Sequence, residues 1–175
     1  MKIIGFVYNV GQPVMVLKGD SSLLNGRKPF FLPEGSEEIG VTGCLILRVS
    51  RLGKEIAPKF AGRYYDAVAP GVDFVAMDLL REAKAAGRPW TQAIAFDYSL
   101  AIGEWESLSL TGREFEGREL VLSPAEAIAQ ASRTMTIRQG DLIYIQYAQE
   151  PRRVQKEEII RIEINGVEKL YCKIK

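Results

Sequence analysis

Short apolar runs separated by turn residues dominate the sequence and limit the folds open to it. Helical patterns are few and lie scattered between these runs, so the chain does not alternate regularly between strand and helix. This order favours a β-rich α+β domain over a parallel α/β sheet. We predict strands over residues 2–8, 12–17, 41–50 and 141–148, a hairpin turn at 25–26 leading to 29–32, and a hairpin of 158–164 with 167–174.

Three helices are predicted between the strands. Apolar residues recur every fourth position over 56–64, and residues 74–86 place leucine and alanine on one face before a Gly and a Pro end the pattern. Residues 123–126 (SPAE) place a hydroxyl, a first-turn proline and a reciprocating glutamate at capping-box spacing. The last signal is the most specific of the three.

Composition predicts one ordinary globular domain spanning residues 1–175, with a net charge of only +1. This balance does not indicate a nucleic acid or a membrane as partner. The first residues lack the long apolar core of a signal peptide, so a cytoplasmic location is expected. The two cysteines, Cys44 and Cys172, lie in predicted strands without metal-site or redox spacing, which favours buried thiols.

The chain contains no histidine. Ser-His-Asp and Cys-His nucleophile activation, histidine zinc sites and a histidine general base are therefore excluded. Any chemistry must use carboxylates, lysine, tyrosine, cysteine or a bound metal.

The middle of the chain carries a family signature. Residues 71–80 (GVDFVAMDLL), followed by 87–97 (GRPWTQAIAFD) and Ile102-Gly103, resemble the signature of the fumarylacetoacetate hydrolase family. Residues 17–24 resemble the family's Lys-Pro-Asp-Ser turn, and residues 140–143 resemble a strand near its end. The resemblance implies a twisted mixed β-roll, a homodimer, and hydrolysis, isomerisation or decarboxylation of small 2-oxo or acylpyruvate-like diacids with Mg²⁺ or Mn²⁺.

The resemblance also implies where the metal ligands should lie. The family holds its metal with a Glu-x-Glu pair on one strand and an aspartate at the start of the signature helix. Asp73 matches that aspartate, whereas Thr42 and Cys44 occupy the two glutamate places. Mg²⁺ selects hard, charged oxygen ligands and does not select a thiol. A tight hard-metal site is therefore not expected, and no cofactor is predicted.

Other family positions also differ. Gly40 stands where the family often has histidine, and Ile94 stands where it has the lysine that meets a substrate carboxylate. Residues 145–150 replace the glycine-rich substrate loop, and only three residues separate Tyr8 from Gln12, where the family has a lid with His and Glu. All of these differences remove functional groups.

The candidate site residues have structural alternatives. Asp73 could be only a helix N-cap, and we favour that interpretation over a metal ligand. Two functions stay open: a pseudoenzyme that binds a partner or a small carboxylate ligand, and an active enzyme for 2-oxo diacids with a rebuilt site that uses Mg²⁺ or Mn²⁺. The residues proposed to line a substrate pocket are Lys18, Asp20, Asp78, Phe96 and Asp97.

Overall fold

Twelve strands and three α-helices make up the computed structural model, which describes residues 1–175. The strands are β1 (Ile3–Val7), β2 (Val14–Lys18), β3 (Leu23–Asn25), β4 (Ile39–Val49), β5 (Tyr65–Ala76), β6 (Leu100–Ile102), β7 (Glu114–Phe115), β8 (Arg118–Glu119), β9 (Leu142–Gln146), β10 (Arg152–Arg153), β11 (Ile159–Ile164) and β12 (Val167–Lys173). The α-helices are α1 (Met77–Ala85), α2 (Thr91–Ile94) and α3 (Pro124–Thr134). Two short 3₁₀ helices span Asp20–Ser22 and Pro58–Arg63. Every helix is too short or too polar to cross a bilayer.

The main sheet is mixed, in the order β2-β1-β9-β4-β5-β6-β3, with β10 added beside β4. The β1–β9 and β3–β6 pairs are parallel, and the remaining pairs are antiparallel. The long strands β4 and β5 form its centre. The predicted β-rich α+β class with a mixed β-roll is confirmed.

The two faces of the sheet are covered by different elements. Side chains of β1, β4 and β9 pack against α3 on one face, and the β11–β12 hairpin packs against the cluster around Phe74 and Leu170. On the opposite face, α1 and α2 cover a cluster that includes Cys44, Ile46 and Tyr144. This second face holds the polar residues of the candidate site.

Several local predictions are confirmed. Ser123 caps α3, and the reciprocal bonds between Ser123 and Glu126 form the predicted capping box. The β11–β12 hairpin turns at Asn165 and Gly166, both with positive φ, as a tight hairpin turn requires.

Three predictions of secondary structure are wrong. The apolar repeat over 56–64 forms a 3₁₀ helix, with Phe60 exposed rather than buried. The helix predicted over 74–86 begins only at Met77, because residues 72–76 alternate between two apolar clusters and pair with the start of β4. The turn at Asn25-Gly26 does not form a hairpin, since β3 pairs in parallel with β6 and Phe30 bridges to Ile174.

Gly5 is required by the close approach of the Tyr144 ring from the neighbouring strand. A Cβ atom at residue 5 would lie 2.1 Å from Tyr144 Cζ, and this ring is fully buried. We expect Gly5→Ala to lower the free energy of unfolding by about 1–3 kcal/mol, because the ring has no free space to move into. Urea unfolding measures this, and Gly35→Ala, at an exposed position without neighbours, is the matched control. Equal effects of the two substitutions would contradict this account.

The ion pair of Glu126 with Arg113 should make the free energy of unfolding depend on pH. Hydrogen bonds from Arg113 hold the pKa of Glu126 at about 2, below its ordinary value. Because the folded-state pKa is depressed, the stabilisation is present above the unfolded-state pKa of roughly 4.3 and is lost as the pH falls towards 2.

We therefore expect the stability difference between the native protein and Glu126→Gln to shrink as the pH falls from about 5 to 2. Glutamine keeps one oxygen for the capping bond from Ser123, while it removes the charge and the second oxygen that accepts from Arg113. Chemical unfolding at several pH values measures the difference, and Glu163→Gln, at an exposed position outside any ion pair, should show no such trend. A constant difference across this range would contradict the prediction.

Candidate functional site

The strand register brings four polar side chains to one face of the main sheet, three of them predicted from the sequence. Thr42 and Cys44 are two positions apart in β4, so their side chains lie on the same face. Asp73 of β5 lies directly opposite Thr42, and Gln146 of β9 lies directly opposite Cys44. The placement of Thr42 and Cys44 towards Asp73 agrees with the positions that the sequence resemblance implied.

Asp73 is a buried strand residue with both carboxylate oxygens engaged. It lies within β5, and Ala76 is the N-cap residue of α1, so the preferred N-cap interpretation is wrong. Its Oδ1 lies 2.7 Å from Lys18 Nζ, and its Oδ2 accepts a hydrogen bond of 2.7 Å from Gln146 Nε2. With 2% of its surface exposed, Asp73 is shielded from water on the covered face of the sheet.

Lys18 occupies a cage of oxygen atoms at the end of β2. Besides the contact with Asp73, its Nζ donates to the carbonyl oxygen of Ile94, to Ser99 O at 3.2 Å and to Ser99 Oγ at 2.8 Å. Burial lowers the pKa of Lys18 below its ordinary value, and the Asp73 carboxylate opposes that shift. The ammonium side chain is fully buried, so its charge must be balanced inside the protein.

Gln146 was not singled out from the sequence, although it closes the site. Its Oε1 accepts a hydrogen bond of 2.7 Å from the Tyr8 backbone N–H, which leaves Nε2 directed at Asp73. The reverse orientation of the amide would place two donors against each other at Tyr8. The available signal was a polar residue in the otherwise apolar strand Leu142–Gln146.

The donor atoms on this face do not fit a hard divalent metal. Asp73 is the only carboxylate among the side chains that share this face; the Lys18 ammonium lies 2.7 Å from one of its oxygens, and the Gln146 amide donates to the other. Burial, with the Asp73 charge, raises the pKa of Cys44 well above its ordinary value, so the thiol stays protonated and is a poor ligand and nucleophile. No group of three or more His, Cys, Asp or Glu side chains could hold a metal.

Little space remains above Asp73. The adjoining cavity measures about 40 Å³. Pockets for small organic ligands are typically about 300–1,000 Å³, whereas a cavity of this size accommodates one or two water molecules. Eleven residues line it, among them Asp73, Trp90, Ile94 and Gln146 and the charged residues Lys84 and Glu150.

Three other positions that differ from the family pattern, Gly40, Ile94 and the turn after Tyr8, lie around the cavity beside Asp73. A Cβ atom at Gly40 would lie 2.5 Å from Met77 Sδ, so the Met77 side chain fills the space of any larger residue there. Ile94 contributes its side chain to the cavity wall and its carbonyl oxygen to the Lys18 cage. The short turn after Tyr8 places the Asn9 amide oxygen 3.3 Å from Lys84 Nζ, close to the cavity.

Among the predicted pocket residues, only Lys18 lies beside Asp73. Asp78, in α1, accepts hydrogen bonds from Ser36 Oγ and the Glu37 N–H and so anchors the loop before β4. Phe96 packs near Phe30, and its ring centroid lies 6.3 Å from that ring. Asp20 and Asp97 are exposed, and the three aspartates do not form a carboxylate cluster.

Comparisons with known proteins match this architecture. The model of the fumarylacetoacetate (FAA) hydrolase C-terminal family matches residues 6–114. The mitochondrial oxaloacetate tautomerase of Caenorhabditis elegans is 33% identical over 98 residues, which span 53% of this chain and 43% of that protein.

Two solved structures share the fold. The fumarylpyruvate hydrolase of Pseudomonas aeruginosa, solved with Mn²⁺ and pyruvate, superposes with a TM-score of 0.83 at 20% identity, covering 99% of this chain and 88% of that one. The 5-carboxymethyl-2-hydroxymuconate delta-isomerase of Mycobacterium smegmatis superposes with a TM-score of 0.80 at 19% identity, covering 99% and 76%.

Proposed function

This chain belongs to the fumarylacetoacetate hydrolase family, and we propose that it is a pseudoenzyme that has lost the family's metal-dependent chemistry on small 2-oxo diacids. The observation that carries the proposal is the closure of Asp73, whose two oxygens are bound by Lys18 and Gln146. A metal ion at Asp73 would have to displace one of these donors, with only the uncharged Thr42 and Cys44 beside it.

The remaining space supports the same proposal. A cavity of about 40 Å³ is several times smaller than a typical small-molecule pocket of about 300–1,000 Å³. A diacid could reach Asp73 only after Gln146 or the covering helix moved away. In the proposed role the fold serves as a binding or assembly unit, with a homodimer as its expected form and any small carboxylate ligand bound outside this closed site.

A cytoplasmic location is also part of the proposal. Both cysteines are unpaired and buried, which suits a compartment where thiols remain reduced.

The test is a pair of measurements on the purified protein. Calorimetric titration should give Mn²⁺ or Mg²⁺ binding no tighter than millimolar, with no change in Asp73→Asn. Acylpyruvate hydrolysis and oxaloacetate tautomerisation should stay at the uncatalysed rate with saturating Mn²⁺. The P. aeruginosa fumarylpyruvate hydrolase is the positive control for the hydrolysis assay.

The competing function, an active enzyme with a rebuilt site, predicts the opposite results. Micromolar Mn²⁺ binding that disappears in Asp73→Asn, or Mn²⁺-dependent turnover, would overturn the pseudoenzyme proposal.

A further inference from the structure

Unpaired basic side chains gather on the surface formed by residues 51–63 and 133–138, here called the basic face. This surface carries six of the 23 lysines and arginines and one of the 22 acidic residues, so the rest of the chain is net negative. All six cations are exposed, and none belongs to an ion pair. They are Arg51, Lys54, Lys59, Arg63, Arg133 and Arg138.

Backbone contacts hold the two segments of the basic face together. Gly53 and Ile137 form an antiparallel bridge, and Lys54 Nζ donates to the carbonyl oxygen of Arg133 at 3.1 Å. Ile137 is fully buried, so the side chains that flank this bridge point to solvent. The 3₁₀ helix at 58–63 packs against α3. The cations therefore occupy one fixed surface of the folded chain.

Two exposed apolar side chains lie among these cations. Leu52 is 68% exposed and Phe60 is 40% exposed. Lys59 Nζ lies 4.9 Å and Arg63 Cζ lies 5.1 Å from the centroid of the Phe60 ring, so these cations compete with any nucleobase for stacking on it. Arginine, aromatic side chains and apolar anchors together are typical of surfaces that bind other proteins.

Glu55 is the acidic residue of the basic face, and its side chain is exposed. Its backbone lies in the left-handed region, with a φ of 53°, and its N–H donates to the carbonyl oxygen of Ser132 at 3.0 Å. A phosphate backbone or an anionic bilayer would place negative charge against Glu55 as well as against the cations. A polypeptide can instead place a basic residue opposite Glu55 and carboxylates opposite its neighbours.

We propose that the basic face is a docking surface for an acidic segment of a partner protein. Carboxylates of the partner meet the six cations, its apolar side chains contact Leu52 and Phe60, and a basic residue pairs with Glu55. The inference goes beyond the proposed function and does not depend on it, because the basic face lies on the α3 side of the sheet, away from the Asp73 site.

The first experiment selects random peptides displayed on phage against the purified protein. The selected sequences should be rich in aspartate and glutamate and should share a recurrent lysine or arginine. Selection against Glu55→Lys should replace that basic residue with an acidic one. Selected peptides that are not acidic, or an unchanged consensus with Glu55→Lys, would overturn the proposal.

The second experiment measures the affinity of the selected peptide by fluorescence anisotropy. Lys59→Glu with Arg138→Glu should weaken binding by at least about tenfold, because like charges would then face each other. Lys28→Glu with Lys156→Glu changes the net charge equally at exposed, unpaired positions elsewhere, and it should weaken binding by about twofold or less at physiological salt. Equal weakening by the two double variants would contradict the assignment of the surface.

The remaining measurements compare other occupants of the same surface. Oligouridine RNA, and vesicles of phosphatidylcholine mixed with phosphatidylserine, should bind more weakly than the selected peptide at equal ionic strength. Tighter binding of either probe would overturn the proposal in favour of a nucleic acid or a membrane. Self-association that Lys59→Glu with Arg138→Glu abolishes would overturn it in favour of a second copy of this chain.

Discussion

Replacing Lys18 with methionine should lower the free energy of unfolding by about 3–5 kcal/mol, because it leaves a buried carboxylate without its counter-charge. Lys18 and Asp73 are 3% and 2% exposed, so water cannot stabilise the remaining charge. Methionine has a similar length and keeps the apolar packing of the lysine stem, so the loss reports mainly on charge. Urea unfolding at neutral pH measures the change.

The matched control is a second lysine–aspartate pair, formed by the residues that directly precede β1 and β9. Lys2 binds Asp141, but its side chain is 30% exposed, against 0% for Lys18. Lys2→Met should therefore cost much less, on the order of 1 kcal/mol or below, as for partly exposed pairs.

The double variant tests whether the two buried charges act as a unit. Lys18→Met with Asp73→Asn removes both charges and keeps an amide oxygen that can accept from Gln146. We expect it to be considerably more stable than the sum of the two single changes predicts, with a coupling energy of about 1–3 kcal/mol. Strict additivity would show that Lys18 and Asp73 are not a charge pair in solution.

The fold could be predicted from this sequence wherever the structure of a segment is determined by its own residues and agrees with its tertiary contacts. The capping box at Ser123 and the Asn165-Gly166 turn are specified within a few residues, and both form as predicted. The start of α1 was misplaced because residues 74–76 carry helix-compatible spacing but are paired with β4, a contact between segments more than thirty residues apart. Local spacing alone does not reveal such pairing.

The site was predicted only in part for a related reason. The positions of Thr42, Cys44 and Asp73 follow from strand alternation and a motif, and they lie on one face as expected. The roles of Lys18 and Gln146 depend on which side chains meet across five neighbouring strands, β2, β1, β9, β4 and β5, which are joined by long-range pairing. The spacing of residues along the chain does not reveal which distant side chains come into contact. The sequence therefore favours a helix cap for Asp73 and does not identify Gln146.

Restoring the two missing carboxylates should produce a variant that needs metal to be stable. Thr42→Glu with Cys44→Glu would place three carboxylates on one buried face, since residue 42 lies opposite Asp73 and residue 44 two positions along the same strand. Repulsion and burial would raise their pKa values. Without metal, the free energy of unfolding should fall by at least about 3 kcal/mol, the cost of an uncompensated buried charge.

Mn²⁺ should return part of that loss, because a ligand that binds only the folded state stabilises it by about 2.7 kcal/mol at a hundredfold excess over its dissociation constant. The gain should increase when Gln146→Ala is added, since this frees Asp73 Oδ2 from the amide donor. Thr42→Gln with Cys44→Gln is the control of equal size, and it should be destabilised without responding to Mn²⁺.

Turnover should remain absent in the carboxylate variant. Ile94 still replaces the lysine of the family pattern, and the turn after Tyr8 still lacks a general base. A missing acid-base group alone typically removes about 10²–10⁴-fold in rate. The assay is acylpyruvate hydrolysis beside melting curves with and without Mn²⁺. If the glutamate and glutamine variants respond alike to Mn²⁺, then residues 42 and 44 do not form a metal-ligand set with Asp73, and the family alignment of β4 is wrong.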